Sequence, residues 1–321
     1  MKARRGVAMI TALWLVVAIA VVALQFSLDA RERRTLGVGA ADRGVQRALA
    51  SGALKLVEAK LEYALRSVPT GRGNTAVLRA SDPLLGIDSL YSGTYAVDSM
   101  PVDVRAADLG AKLNINSLSE DELKTFFGFV LRDYVLSDAL AQHIMDWTDA
   151  DDIARVHGGE RDDYIKAGAL ALPANGPFRD IADLLNVQGV TPAVYAAVAP
   201  YLTTRGSGVV NLNTAPAPVL RVLPGMTDDI LATILSLRSQ GQRIISVAEV
   251  MGAAQRGRPA NPAQAARNAA VTAALSARAA VQSNDFEFTI LARTSADAQP
   301  TRLLAVLSRA NGGVSLSWQQ W

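Results

Sequence analysis

The sequence predicts an α+β chain: a long N-terminal helix laid on an antiparallel sheet, with a large all-α domain inserted between the strands. Three observations carry that expectation. No proline precedes Pro69, and the apolar pattern ahead of it changes from continuous to helically spaced. Strand-like segments stand on both sides of the middle of the chain, at 91–105 and 286–318. Between them the motif N-[IL]-N-[ST] occurs twice, each time ahead of helical stretches.

The N-terminus opens with Lys2, Arg4 and Arg5, and from Gly6 to Leu28 no residue is charged. A bilayer core needs about 20 such residues in a helix. A signal-peptide core is about 7–15 residues with a small-residue cleavage site, so an uncleaved membrane helix is the favoured reading over a long signal peptide. Arg31, Arg33 and Arg34 balance the basic leader, and only the shortness of the leader favours an N-in orientation. The helix is expected to continue past the membrane. Leu54, Val57, Leu61, Leu65 and Val68 share one face. Gly37, Gly39, Gly44 and Gly52 weaken its middle by about 1 kcal/mol each. The alternative is an anchor followed by an unrelated linker.

Composition excludes several functions. The 321 residues contain no cysteine and only His143 and His157, so Cys-ligated zinc, iron–sulfur clusters, thiol catalysis and poly-histidine metal sites are ruled out. Half the chain is apolar and 19% is charged, enough for a packed core.

The repeat aligns 114–117 (Asn-Ile-Asn-Ser) with 211–214 (Asn-Leu-Asn-Thr). Ser119 or Thr214 offers a cap, and Pro216 and Pro218 suit a helix start. Second helices are expected at 137–147 and 227–238, each followed by a turn, at Gly176-Pro177-Phe178 and Gly241-Gln242-Arg243. The units are placed at 111–204 and 209–253, with an Ala/Arg-rich connector at 254–284 that forms a helix from Pro262 or stays mobile. The second unit resembles a helix-hairpin-helix or SAM-like module, which raises duplex DNA as a partner. Charge argues against it. The first unit has 14 acidic and 7 basic residues, the second is neutral, and the hairpin Pro224-Gly225-Met226 lacks its second glycine.

One segment has the chemistry of a site. Asp146, Asp149, Asp151 and Asp152, then Gly158-Gly159, then Glu160, Asp162 and Asp163 crowd carboxylates around a bend. Calcium takes six to eight oxygens in irregular geometry, and such a loop can supply them. No EF-hand spacing is present. The alternative is a solvated acidic loop paired with Arg155 and Arg161. Catalysis is disfavoured because no nucleophile stands beside a base.

The leader Arg5-Gly6-Val7-Ala8 resembles the class III signal of type IV pilins and pseudopilins. That resemblance implies cleavage between Gly6 and Val7 and N-methylation of Val7. The glutamate usual at mature position five is Thr11 here. The run D-W-x-D-x-D-D…G-G-x-x-D-D-Y at 146–164, between K-L-N-I-N and N-L-N-T-A-P, is similar to the K subunit family of the type II secretion pseudopilus (general secretion pathway protein K). The resemblance implies a pseudopilin fold, with residues 1–6 as leader, 7–28 as membrane helix, 29–110 as amphipathic helix and first strands, and 285–321 as last strands. It implies a non-enzymatic minor pseudopilin in the bacterial inner membrane, with its bulk in the periplasm, at the tip of the pseudopilus. Its partners would be the I, J and H minor pseudopilins, the major pseudopilin, prepilin peptidase and the inner-membrane assembly platform. Calcium would be held by Asp149, Asp151, Asp152, Glu160 and Asp163. The rival reading is a membrane-anchored, competence-type DNA-binding protein; a calcium-dependent hydrolase ranks last.

Overall fold

The computed structural model describes residues 3–67, 82–256, 261–295, 297–310 and 312–321, with side chains in the first helix described at 13–15, 17, 19–27 and from 40 onward. That helix, α1, spans Ala3–Arg66, and a short α2 follows at Ile87–Leu90. Val68 lies outside the described residues, as do Met1 and Lys2. Gly6 and Val7 fall in the opening turns of α1, where only the backbone is described. Leu13, Trp14, Ile19, Leu24 and Phe26 are all more than half exposed. Among the described residues no helix is long and apolar enough to cross a membrane; the uncharged stretch 6–28 falls partly on residues whose side chains are not described.

The second half of α1 follows the expected period. Leu49, Ala50, Ala53, Leu54, Val57 and Leu61 are buried on one face. They pack on a five-stranded sheet made of β1 (Gly93–Val97), β2 (Met100–Asp108), β7 (Asp285–Ala292), β8 (Thr301–Ala310) and β9 (Gly313–Gln320). The order is β1-β2-β7-β8-β9, antiparallel throughout. Phe286, Phe288, Ile290 and Ala292 alternate onto the helix side and are fully buried, as period two demands. Gly52, counted in the sequence as a helix weakener, has a packing reason. A Cβ there would lie 2.7 Å from Val97 Cγ1, so glycine lets α1 approach the β1 end. Gln46 pins the helix to the sheet: it accepts from Thr301 Oγ1 at 2.6 Å and donates to Asp42 at 3.2 Å. Between β1 and β2, Asp98 and Ser99 both take positive φ, the geometry that matches strand twist in a tight hairpin. Pro101 lies inside β2, paired with Ala96.

Residues 109–284 leave the sheet after β2 and return at β7, and Asp108 and Phe286 are register partners. The insertion has its own core. Its first unit contains β3 (Leu113–Asn114), α3 (Glu120–Leu131), α4 (Tyr134–Thr148), α5 (Arg161–Lys166), α6 (Pro192–Val198) and β4 (Leu202–Thr203). Ser119 caps α3 in a capping box with Glu122. The second unit contains β5 (Val210–Asn211), α7 (Ala217–Leu220), α8 (Asp228–Ser239), α9 (Val247–Ala254), α10 (Pro262–Arg278) and β6 (Ala279–Ala280). Thr214 does not cap α7; its hydroxyl donates to Asp108 at 2.6 Å.

The repeat is visible in bonding. In each unit the first Asn carboxamide oxygen accepts from the backbone N–H of the second, Asn114 from Asn116 and Asn211 from Asn213. Each second Asn then clamps a distant loop residue from both sides. Asn116 Oδ1 accepts from Phe178 N at 2.8 Å while its Nδ2 donates to Phe178 O at 3.0 Å. Asn213 does the same to Ile244, both at 2.9 Å. Each unit closes on a two-residue parallel bridge, β3 with β4 and β5 with β6. The stretch read as a connector at 254–284 thus holds α10 and the strand β6 that pairs with β5, and Leu275 is buried in the insertion core.

Candidate metal centre

The acidic segment begins where α4 ends. Trp147 stacks on Phe178, 6.2 Å between centroids, and lies 5.7 Å from Tyr164 of α5. This aromatic wall holds the two ends of the loop together. Asp146, in the last turn of α4, is fully buried, and Asp149 is its C-cap. Carboxylates at a helix C-terminus face the negative end of the macrodipole and call for a cation. Arg155 supplies one. Its Nη1 donates to Asp146 Oδ1 and, at 2.6 Å, to Asp149 Oδ2, its backbone N–H donates to Asp146 Oδ2 at 3.0 Å, and its Nε lies 3.3 Å from Glu120 Oε2. Gly158 lies against the same aspartate; a Cβ there would fall 1.9 Å from Asp146 Oδ2, so any side chain would displace the loop.

Around this pin the structure brings together three of the five residues singled out in the sequence. Asp149, Asp151 and Glu160 each offer a carboxylate oxygen within 4.8 Å of the others. Asp149 Oδ1 and both oxygens of Glu160 are buried without a hydrogen-bond partner. Burial, followed by the charges of Asp146, Asp149, Asp152 and Asp151, pushes the Glu160 carboxyl up to about 7. Orphaned buried carboxylate oxygens are costly, and a bound cation removes the cost. The donors are all hard oxygens, which suits calcium or magnesium rather than softer metals.

Asp152 and Asp163 are not in the cluster. Asp152 is exposed. Asp163 sits in the first turn of α5, where it accepts from Glu160 N at 3.2 Å and faces Lys166 Nζ at 3.4 Å, and these two partners hold its carboxyl below its ordinary value. Arg161, the other pairing partner considered, opens α5 and is exposed. His157 lies outside the cluster, with Nδ1 2.8 Å from Asp138 Oδ2, and Lys124 links that aspartate to Glu120 and so to Arg155. Sequence reasoning named Asp146, Gly158 and Arg155 in this segment but not the joint they form, and it did not bring in Glu120. Two aspartates at one helix C-terminus were the signal that a cation is needed there.

The hairpin considered for DNA lies beside α10, with Gly225 itself exposed. Gly225 has φ +79° and packs against Val271 of α10, 3.2 Å from where a Cβ would sit. Arg221 pairs with Asp228, and Arg238 is turned inward onto Ala215 O at 2.5 Å.

Residues 111–206 match the family model described as Type II secretion system (T2SS), protein K. No curated protein matches the chain in sequence. Among solved structures, a chain of the GspK-GspI-GspJ complex of the Type 2 Secretion System from enterotoxigenic Escherichia coli is similar, with TM-score 0.61 and 17% identity over 89% of this chain and 98% of that one. At that identity the likeness is one of fold.

Proposed function

We propose that this chain, a minor pseudopilin of type II secretion of the protein K kind, primes or caps the tip of the pseudopilus. Its role is structural and its place is the cell envelope. In this reading the 6–28 segment of α1 sits in the inner membrane and the remainder lies in the periplasm. The observation that carries the reading is where the family-matched residues stand: 111–206 fall inside an excursion between the register partners Asp108 and Phe286, which grafts a helical mass onto a helix-on-sheet head. A subunit so enlarged hinders the stacking of another above it. Thr11, standing where the family carries glutamate, supports the same position. A subunit without that carboxylate cannot neutralise a terminal ammonium above it in hydrocarbon, and half of such a pair is costly.

GspI and GspJ accompany GspK in the E. coli complex, and we assign this chain the corresponding I and J partners, with H, the major pseudopilin, prepilin peptidase and the assembly platform acting at other stages. N-terminal sequencing of the membrane-extracted protein tests the class: the expected start is methyl-Val7. A start at Met1, or a released chain beginning near Ala30, overturns it.

The acidic loop is, in this reading, a calcium site with Asp149, Asp151 and Glu160 as ligands, backbone carbonyls or water completing the shell. The full chain in detergent is expected to unfold at higher temperature in millimolar Ca²⁺ than in EGTA. At a hundredfold excess over Kd, binding to the native state alone contributes about 2.7 kcal/mol. Equal midpoints remove calcium from the reading.

A further inference from the structure

We infer that Arg155 is the positioning residue of the cation site: its guanidinium holds Asp149 so that one carboxylate oxygen is spent on arginine and the other is kept for the ion. The inference rests on the calcium reading above and adds to it a residue that coordinates nothing.

The two oxygens of Asp149 have different fates. Oδ2 accepts from Arg155 Nη1 at 2.6 Å, whereas Oδ1 is buried and unpartnered, as are both oxygens of Glu160. The same Nη1 holds the fully buried Asp146, the Arg155 backbone N–H closes the loop onto that aspartate, and Nε reaches Glu120 on α3. One planar group therefore ties α3, the end of α4 and the loop into one body. A guanidinium has the fork geometry to hold several carboxylates at once, and a lysine ammonium does not. Arg155 also settles the local charge. It compensates Asp146, which lies outside the converging set of Asp149, Asp151 and Glu160, so Asp146 does not compete for the ion. Without it, Asp146 and Asp149 would repel each other at a helix end that already disfavours anions, and Asp149 Oδ1 would lose its fixed direction.

The opposite role makes the opposite prediction. An arginine that merely stands in for the metal competes with it, and its removal would tighten binding. Terbium is the probe, bound by the full chain in detergent and excited through tryptophan, Trp147 being adjacent in sequence to the loop. Calcium competition gives the affinity, and luminescence lifetimes in H₂O and D₂O count the waters on the ion. Arg155→Ala is expected to raise the calcium Kd at least tenfold, about 1.4 kcal/mol, and to add at least one water to terbium. Arg155→Lys is expected to recover part of the affinity but not the hydration number. Binding by a folded Arg155→Ala chain that is equal to or tighter than wild type, with unchanged hydration, overturns the inference. Should the alanine variant fail to fold, wild-type affinity and hydration in Arg155→Lys overturn it equally. A wild-type chain that binds neither ion removes the calcium reading and this inference with it, a result distinct from a variant that behaves as wild type.

Discussion

Asp108 shows how one side chain joins two folding units. It ends β2, is buried, and accepts from Gly110 N at 2.8 Å and from the Thr214 hydroxyl of the second helical unit at 2.6 Å. Burial pushes its carboxyl above the ordinary 3.8, against the opposing pull of hydrogen bonds from Ser283, Thr214 and Gly110. The native state therefore favours the protonated form. Its contribution to stability is complete below the unfolded-state value near 4 and is lost as pH rises through the raised native one. Asp108→Asn is expected to flatten the pH dependence of urea unfolding from about pH 4 upward, and an unchanged slope would assign that dependence elsewhere. At this scale the sequence was readable where chemistry is local. The crowding of carboxylates marked the segment, the family resemblance implied five ligands within it, and three of those, Asp149, Asp151 and Glu160, converge. Asp163 did not join them because it was already needed at the start of α5. Arg155 was legible as a partner of the loop's aspartates, but its tie to Glu120 was not, because that residue comes from the start of a different helix.

Among elements, legibility followed the range of the interactions. The amphipathic half of α1 and the alternation of β7 are written within a few residues, and both appear as expected. The N-x-N motif was legible because its first asparagine closes a turn on its own neighbourhood. What it clamps was not, because Phe178 and Ile244 are reached only through tertiary folding. The bridge that closes the second unit was hidden for a related reason. Ala279 and Ala280 lie in an alanine-rich stretch with no strand signature, and their pairing is fixed by β5 far earlier in the chain. Local propensity describes α10 correctly from Pro262 and is silent on where it docks.

Across the whole molecule, the helical insertion is bound to the sheet by buried charge as well as by chain connection. Asp82, 2% exposed, meets Arg309 of β8 at 2.6 Å and Arg243 of the second unit at 3.5 Å. Farther along, Arg205 between the two units pairs with Glu287 of β7 at 3.1 Å and lies 3.9 Å over the Trp318 ring of β9. Removing one member of a buried ion network strands the others, at a cost of about 3–5 kcal/mol. Asp82→Ala is therefore expected to lower the unfolding midpoint and to speed proteolysis at the insertion boundary, with Asp82→Asn milder. Cleavage at the wild-type rate would show that the two bodies are held by other contacts.

The pairing of Asp108 with Phe286 also bears on ancestry. An excursion whose entry and exit are already neighbours in a ladder adds only a loop-closure penalty, which grows as the logarithm of its length. A plain five-strand meander could thus have accepted its cargo of helices in a single splice, without re-pairing any strand, and a lineage shedding them would be left with a sheet still able to close.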